Sequence, residues 1–312
     1  MSVISPPAAD PAALRAYGPV GRSAWRDIDW REHHRWVRVR GRWVNCVELG
    51  EGQPLVFVHG LAGSWQNWLE NIPYFAATHH VFALDLPGFG LSETPSEPIS
   101  IDGYARMLDD FLDAVGLPDE VPLTLVGNSM GGFIAAEVAI RYSQRVGRLV
   151  LVSAAGITSE SQRNDRLFAI VQRLEFLLTF MAQHPDARFM LRPRYKRLAK
   201  LVFEHPGRLP GSLVYEQLKG SGKPGFVPSL GAVTRYPIRD RLARIIAPTP
   251  IVWGERDRIV PPRDAQVFEQ AIGHATRIMY PDTGHVPMLE RPARFNHDVA
   301  AWLASEQAGT TQ

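Results

Sequence analysis

Cysteine is almost missing from this chain: Cys46 is its one cysteine in 312 residues. No disulfide can form within the chain, which excludes a small disulfide-stapled scaffold and fits a reducing compartment. Cys46 lies in the alternating stretch Trp43-Val44-Asn45-Cys46-Val47-Glu48-Leu49. There it reads as a small packed strand residue, with no base beside it to make it a nucleophile. An excess of charge of one sign is missing too. Lys plus Arg is 34 against 32 for Asp plus Glu, a net charge of +2, so nucleic acid is not expected as a partner. No apolar run reaches the roughly 18 residues that a membrane span needs. Met1 to Asp10 shows no basic stretch followed by an apolar core, so no secretory signal is expected. These absences point to a soluble, cytoplasmic protein whose partner is a small molecule. There is also no H-E-x-x-H, no paired Cys/His set and no G-x-x-x-x-G-K-[ST] loop. Neither a metal nor another cofactor is expected.

What is present is an alternation of buried-looking strands and helices. Hydrophobic residues make up 45% of the chain, enough for one large α/β domain that carries an insertion. Two alternating runs around Gly41 predict a β-hairpin. Short apolar runs follow at Pro54 to Val58, Val81 to Leu84, Leu123 to Val126, Leu149 to Val152, Pro250 to Trp253 and Arg277 to Tyr280. Such runs suit strands buried on both faces of a mostly parallel sheet. Helical patterns over 66–77, 102–115, 130–144 and 263–272 separate most of them, as right-handed crossovers require. The fold class expected is therefore α/β, a mostly parallel sheet with helices on both faces. One interval, 157–236, breaks the rhythm and is read as a helical cap insertion. The core then comprises 35–156 and 237–304, with an N-terminal arm over 1–34 and a C-terminal tail over 305–312.

The chemistry gathers at Gly127-Asn128-Ser129-Met130-Gly131, a G-x-S-x-G between a strand and a helix. In that context a serine sits on a strained turn with its hydroxyl pushed out of the sheet. A glycine-rich turn with a capping serine is the plain alternative. The strand before and the apolar helix after it favour a nucleophile. A serine hydroxyl needs a base, usually a histidine oriented by a carboxylate, and here the chain order is serine, acid, histidine. Asp257, at the end of the strand Pro250 to Trp253, supplies the acid, with Glu255 in reserve. His285, in Asp282-Thr283-Gly284-His285, supplies the base. The loop His59-Gly60-Leu61-Ala62-Gly63 follows the first buried strand, so the backbone N–H groups of Leu61 and Met130 are the candidate oxyanion hole. His59 is expected to brace that loop rather than to move protons.

Taken together, His59-Gly60, Asp85-Leu86-Pro87-Gly88-Phe89-Gly90, the serine turn through Gly132, Trp253-Gly254 through Asp257, and Gly284-His285 resemble the α/β-hydrolase superfamily, in its order, over residues 35–304. Dehalogenases and epoxide hydrolases of that fold use aspartate where Ser129 stands, so the resemblance implies acyl transfer. It is similar to two branches, carboxylic ester hydrolases and carbon–carbon bond hydrolases of the meta-cleavage-product type. The second branch commonly has an aromatic residue after the histidine, where this chain has Val286. Its glycine-rich oxyanion loop also differs from Leu61-Ala62-Gly63-Ser64-Trp65. Both departures favour an ester. A non-catalytic binding protein of the same fold is the alternative of another class, and the intact serine, acid and histidine speak against it.

Arg166 to Met181 is apolar on more than one side, which suits a helix between cap and core. It would roof a medium-sized, apolar substrate. The basic residues Arg188, Arg192, Arg194, Lys196, Arg197 and Lys200 that follow read as a solvated face; the alternative, attraction of a carboxylate-bearing substrate, would favour the carbon–carbon hydrolase. With aryl esters of increasing acyl length, kcat/KM is expected to rise beyond acetate. A flat preference for acetate would remove the apolar roof from the argument.

Overall fold

The computed structural model of the chain describes residues 10–158 and 199–309. Eight strands form one sheet: β1 (His34–Val39), β2 (Arg42–Leu49), β3 (Gln53–Val58), β4 (His79–Leu84), β5 (Leu123–Asn128), β6 (Val146–Val152), β7 (Thr249–Gly254) and β8 (Ala275–Tyr280). Their order is β1-β2-β4-β3-β5-β6-β7-β8. The hairpin β1–β2 is antiparallel and pairs antiparallel with β4, and every other neighbouring pair is parallel. The expected mostly parallel sheet is therefore present. Its central strands are buried on both faces, which is why β5 and β7 read as unbroken apolar runs. β8 departs from the expectation. It lies at the sheet edge, and Thr276 and Arg277 are exposed. Consecutive side chains point to opposite faces of a strand, so at this edge both faces of β8 reach water.

The helices are α1 (Pro11–Arg15), α2 (Ile72–Phe75), α3 (Ile101–Ala114), α4 (Met130–Arg141), α5 (Gly211–Leu218), α6 (Phe226–Val233), α7 (Arg263–Ala271), α8 (Pro287–Glu290) and α9 (Pro292–Gly309). Helices α3, α4 and α7 share one apolar cluster with one face of the sheet, through residues such as Phe111, Phe133 and Phe268. Phe75 of α2, Phe295 of α9 and Trp68 share the other. Two clusters on opposite faces make a three-layer molecule. Helix α3 starts where Ser100 Oγ accepts from the Gly103 amide at 2.9 Å, an N-cap that satisfies one of the free amides of the first turn. Helix α4 is buried from Met130 to Ile140. The helix expected over 66–77 is instead a 3₁₀ turn, Trp65–Trp68, followed by the single turn of α2. Pro73 lies inside that stretch and has no amide to donate, so one continuous helix is broken there.

The described part of the interval 157–236 contains helical residues 199–202, a 3₁₀ turn at Pro206–Arg208, α5 and α6, and no strand. Helix α6 lies against α3, with the Tyr104 and Ser229 hydroxyls 3.0 Å apart. Helix α5 is joined to the segment after β3 by Asn67 Nδ2, which donates to Gln217 Oε1 at 2.7 Å. The apolar run 166–181 and the basic residues from Arg188 to Arg197 lie outside the described residues. Among the described residues, no helix is long and apolar enough to cross a membrane.

Cys46 is fully buried on β2, and burial pushes its thiol up to about 12. Iodoacetamide at pH 8 is expected to leave the native protein unmodified and to label one thiol per chain in urea. Rapid labelling of the native protein would contradict this packing.

Candidate active site

Because β3 and β5 to β8 are parallel, their carboxyl ends open on one side of the sheet. The chain also changes direction of sheet growth there: from β3 it crosses to β4 on one flank, then returns to β5 on the other. Crevices at such switch points are where open α/β sheets hold ligands. Ser129 follows β5, Asp257 follows β7 and His285 follows β8. Residues separated by 156 positions in sequence thus reach one edge.

Ser129 joins β5 to α4 with φ 55° and ψ −117°. A non-glycine residue there costs about 1–3 kcal/mol and persists only where its surroundings enforce it. Three backbone bonds do so. The Ser129 amide donates to Val152 O at 2.9 Å, and its carbonyl accepts from Phe133 and Ala155, each at 3.0 Å. The hydroxyl makes no capping bond to α4, so the plain alternative of a helix-capping serine does not hold. The first turn of α4 nestles against the end of β3. A Cβ on Gly131 would clash with the carbonyl oxygens of Val58 and His59. The following loop is equally close: a Cβ on Gly60 would lie 3.1 Å from Ser129 Cβ. The Leu61 amide follows Gly60 in that loop, and the Met130 amide follows Ser129 at the start of α4. Among the described residues, neither amide has a hydrogen-bond acceptor.

His285 and Asp257 are joined directly. His285 Nδ1 lies 2.8 Å from Asp257 Oδ2, with both side chains buried. Asp257 Oδ1 accepts the Ile259 and Val260 amides at 2.8 and 3.0 Å. A carboxylate so bound favours the tautomer with its proton on Nδ1, which leaves the Nε2 lone pair free. Glu255, the reserve acid, is exposed. Ser129 Oγ makes no hydrogen bond to His285 in this structure. The two loops are tied instead through Asn128, whose Nδ2 donates to Val152 O at 3.1 Å and to His285 O at 3.4 Å. Nucleophile–base bonds are often loose without substrate and tighten when one binds.

His59 is fully buried, and burial lowers its affinity for a proton. The Leu86 amide donates to its Nε2 at 3.0 Å, and its Nδ1 bonds Gly60 O at 2.7 Å. Both ring nitrogens are occupied by backbone, so the imidazole is a brace between two loops, as expected from its position. Sequence reasoning gave no role to Asp85. The structure gives it one. Its buried carboxylate accepts the Trp65 and Leu91 amides, each at 2.9 Å, and Asn45 Nδ2 at 2.8 Å. It thereby fastens the loop after β3 to the loop after β4 and to β2. Its signals in the sequence were a charge at the end of an apolar run and its place at the head of Asp85-Leu86-Pro87-Gly88-Phe89-Gly90, one of the stretches that carry the family resemblance. Among the described residues, one His/Asp/Glu group, Glu204, His205 and Asp282, has metal-ligand proximity. Arg258 pairs with Glu204 and Arg291 with Asp282, which opposes a cation there.

The family described as the α/β hydrolase fold matches residues 53–292. The chain is 30% identical to the 2-hydroxymuconate semialdehyde hydrolase of a Pseudomonas species, over 85% of this chain and 92% of that one. It is 28% identical to Lipase 3 of a Moraxella species, over 80% of this chain and 77% of that one. Among solved structures, a serine hydrolase involved in carbazole degradation superimposes with a TM-score of 0.68 at 25% identity, covering 87% of this chain and 98% of that one.

Gly131→Ala is expected to push α4 away from the end of β3. Stability should fall by about 1–3 kcal/mol, as for other overpacked sites. In the fraction that remains folded, kcat should fall by roughly a hundredfold, because the Met130 amide moves with the helix. Urea denaturation and kinetics on the same preparation separate the two effects.

Proposed function

Because the chain belongs to the α/β-hydrolase family, we propose that it is a serine hydrolase acting on a medium-sized, apolar carboxylic ester through an acyl-enzyme. The observation that carries this reading is the backbone of Ser129. A strained turn holds a serine hydroxyl at the N-terminus of α4, with no capping bond to occupy it, and Asn128 ties that turn to the loop of a histidine already paired with a buried aspartate. In this reading the Ser129 hydroxyl attacks the ester carbonyl while His285 Nε2 takes its proton. Asp257 holds the Nδ1–H and stabilises the imidazolium that forms. The negative charge on the former carbonyl oxygen falls to the Leu61 and Met130 amides, which lie ready and unspent. Collapse of the tetrahedral species breaks the bond to the alkoxy group, which leaves as the alcohol with the proton from His285. Water then repeats the attack on the acyl-enzyme, and the acid departs with Ser129 restored.

The same three side chains serve a second reading, cleavage of a carbon–carbon bond in a meta-cleavage product. The observation in its favour is the near full-length similarity to the 2-hydroxymuconate semialdehyde hydrolase. Val286, buried behind the histidine, and the loop from Leu61 to Trp65 still favour the ester. A cytoplasmic location accompanies either reading, supported by a buried cysteine and by the absence of any disulfide.

The wild-type protein is expected to take up a fluorophosphonate probe, and Ser129→Ala to take up none. Turnover in that variant should fall by up to roughly a millionfold. A panel of p-nitrophenyl esters beside a 2-hydroxy-6-oxo-dienoate decides between the two bonds. A wild-type protein that took no label and cleaved neither substrate would refute the enzyme assignment.

A further inference from the structure

Glu290, at the end of α8, is fully buried and appears in none of the steps above. Its carboxylate accepts the Gly284 amide at 2.9 and 3.0 Å, the Val286 amide at 3.3 Å and the Glu204 amide at 2.8 Å. Gly284 and Val286 flank His285, so one carboxylate holds the chain on both sides of the histidine. The His285 amide itself donates to Val202 O at 2.8 Å. The remaining donor to Glu290 comes from far away in sequence: the hydroxyl of Tyr17, in the N-terminal arm. That oxygen also accepts the His205 amide at 2.8 Å. The Tyr17 ring packs edge-on to His205 at 5.1 Å, with the Arg291 guanidinium 4.9 Å from its centre. The backbone follows the side chain, since the Gly18 amide donates to Glu290 O at 2.7 Å and Arg291 Nη1 to Arg15 O at 2.9 Å.

A carboxylate shut away from water is costly unless its oxygens are met by donors. Burial does push the Glu290 carboxyl above its ordinary range, and its four donors oppose that shift. Tyr17 is the one side-chain donor among them; the other three are backbone amides. The arm reaches the other side of the site as well. Trp30 lies 4.8 Å from the Trp65 ring, in the loop that carries Leu61. Between the two contacts, Ser23 and Trp25 bond Glu70 at 2.7 and 2.8 Å.

We propose that the N-terminal arm ties the loop after β8 to the loop after β3, and that Tyr17 acts through Glu290 as a positioning residue for His285. The inference rests on the role given to His285 in the proposed function. Small displacements of a reacting group cost rate far more than they cost binding. Loss of the Tyr17 hydroxyl should therefore lower kcat and leave KM nearly unchanged.

Tyr17→Phe removes the hydroxyl and keeps the ring. Its kcat for a p-nitrophenyl ester is expected to fall roughly tenfold or more, with KM within about twofold of wild type. The low-field proton of the His285–Asp257 hydrogen bond, identified by its loss in Asp257→Ala, should shift or broaden in the same variant. Trp25→Phe removes one of the arm's two bonds to Glu70, keeps that of Ser23, and leaves Glu290 untouched. It serves as the control for general loosening and is expected to keep both kcat and the proton signal. Wild-type kcat and an unmoved signal in Tyr17→Phe would overturn the proposal. So would an equal loss of kcat in Trp25→Phe at equal loss of thermal stability. The proton signal is read without turnover. If the protein cleaved no ester, the functional reading would fail while the coupling of Tyr17 to His285 was still decided.

Discussion

The backbone of Ser129 is held where a side chain is unwelcome, and much of the surrounding structure follows from that constraint. A chain leaving β5 must reverse into α4 within one residue for the hydroxyl to stand clear of the sheet. The reversal is stable only because the Val152 carbonyl and the Phe133 and Ala155 amides capture both backbone groups of the serine. It also requires α4 to press on the end of β3, and Gly131 admits that contact. The same contact sets the distance between the helix N-terminus and the loop after β3. Ser129 stands against the loop that carries Leu61 because one turn is tight.

Around that turn, buried carboxylates organise the loops. Asp85 gathers the loop after β3, Asp257 orients the imidazole, and Glu290 holds the chain on either side of that imidazole. Each accepts main-chain amides that no strand or helix uses. Loops at the carboxyl end of a sheet carry many such amides, and burying them unpaired would cost about 1–3 kcal/mol apiece. A carboxylate offers several acceptor sites at one point, so it can tie segments that secondary structure cannot. His59 does similar work with a neutral ring, one nitrogen accepting from Leu86 and the other bonded to Gly60. Its burial and its two backbone partners leave it no proton to exchange.

Local pattern carried a long way in this protein. The unbroken apolar runs of β3 to β7 are unbroken because both faces of the sheet are covered, and the burial that causes them is the burial observed. The helical patterns over 102–115 and 130–144 likewise correspond to α3 and α4. The errors have local physical causes. Pro73 splits a helix that hydrophobic spacing had drawn as continuous. β8 is an edge strand, and a four-residue apolar run does not reveal on how many sides it will be covered.

Ser129, Asp257 and His285 could be picked out as candidates from sequence because the turn that presents each is built from adjacent residues: glycines beside the serine, a strand end before the aspartate, a glycine before the histidine. Such turns are local, so their signatures are local. What holds those turns in relation to one another is not. Tyr17 and Glu290 meet across 273 positions and Asn45 and Asp85 across 40, through single side chains with no repeating pattern. Only the folded sheet decides which loops become neighbours, and with that, which buried carboxylate finds its donors and where the imidazole finally rests.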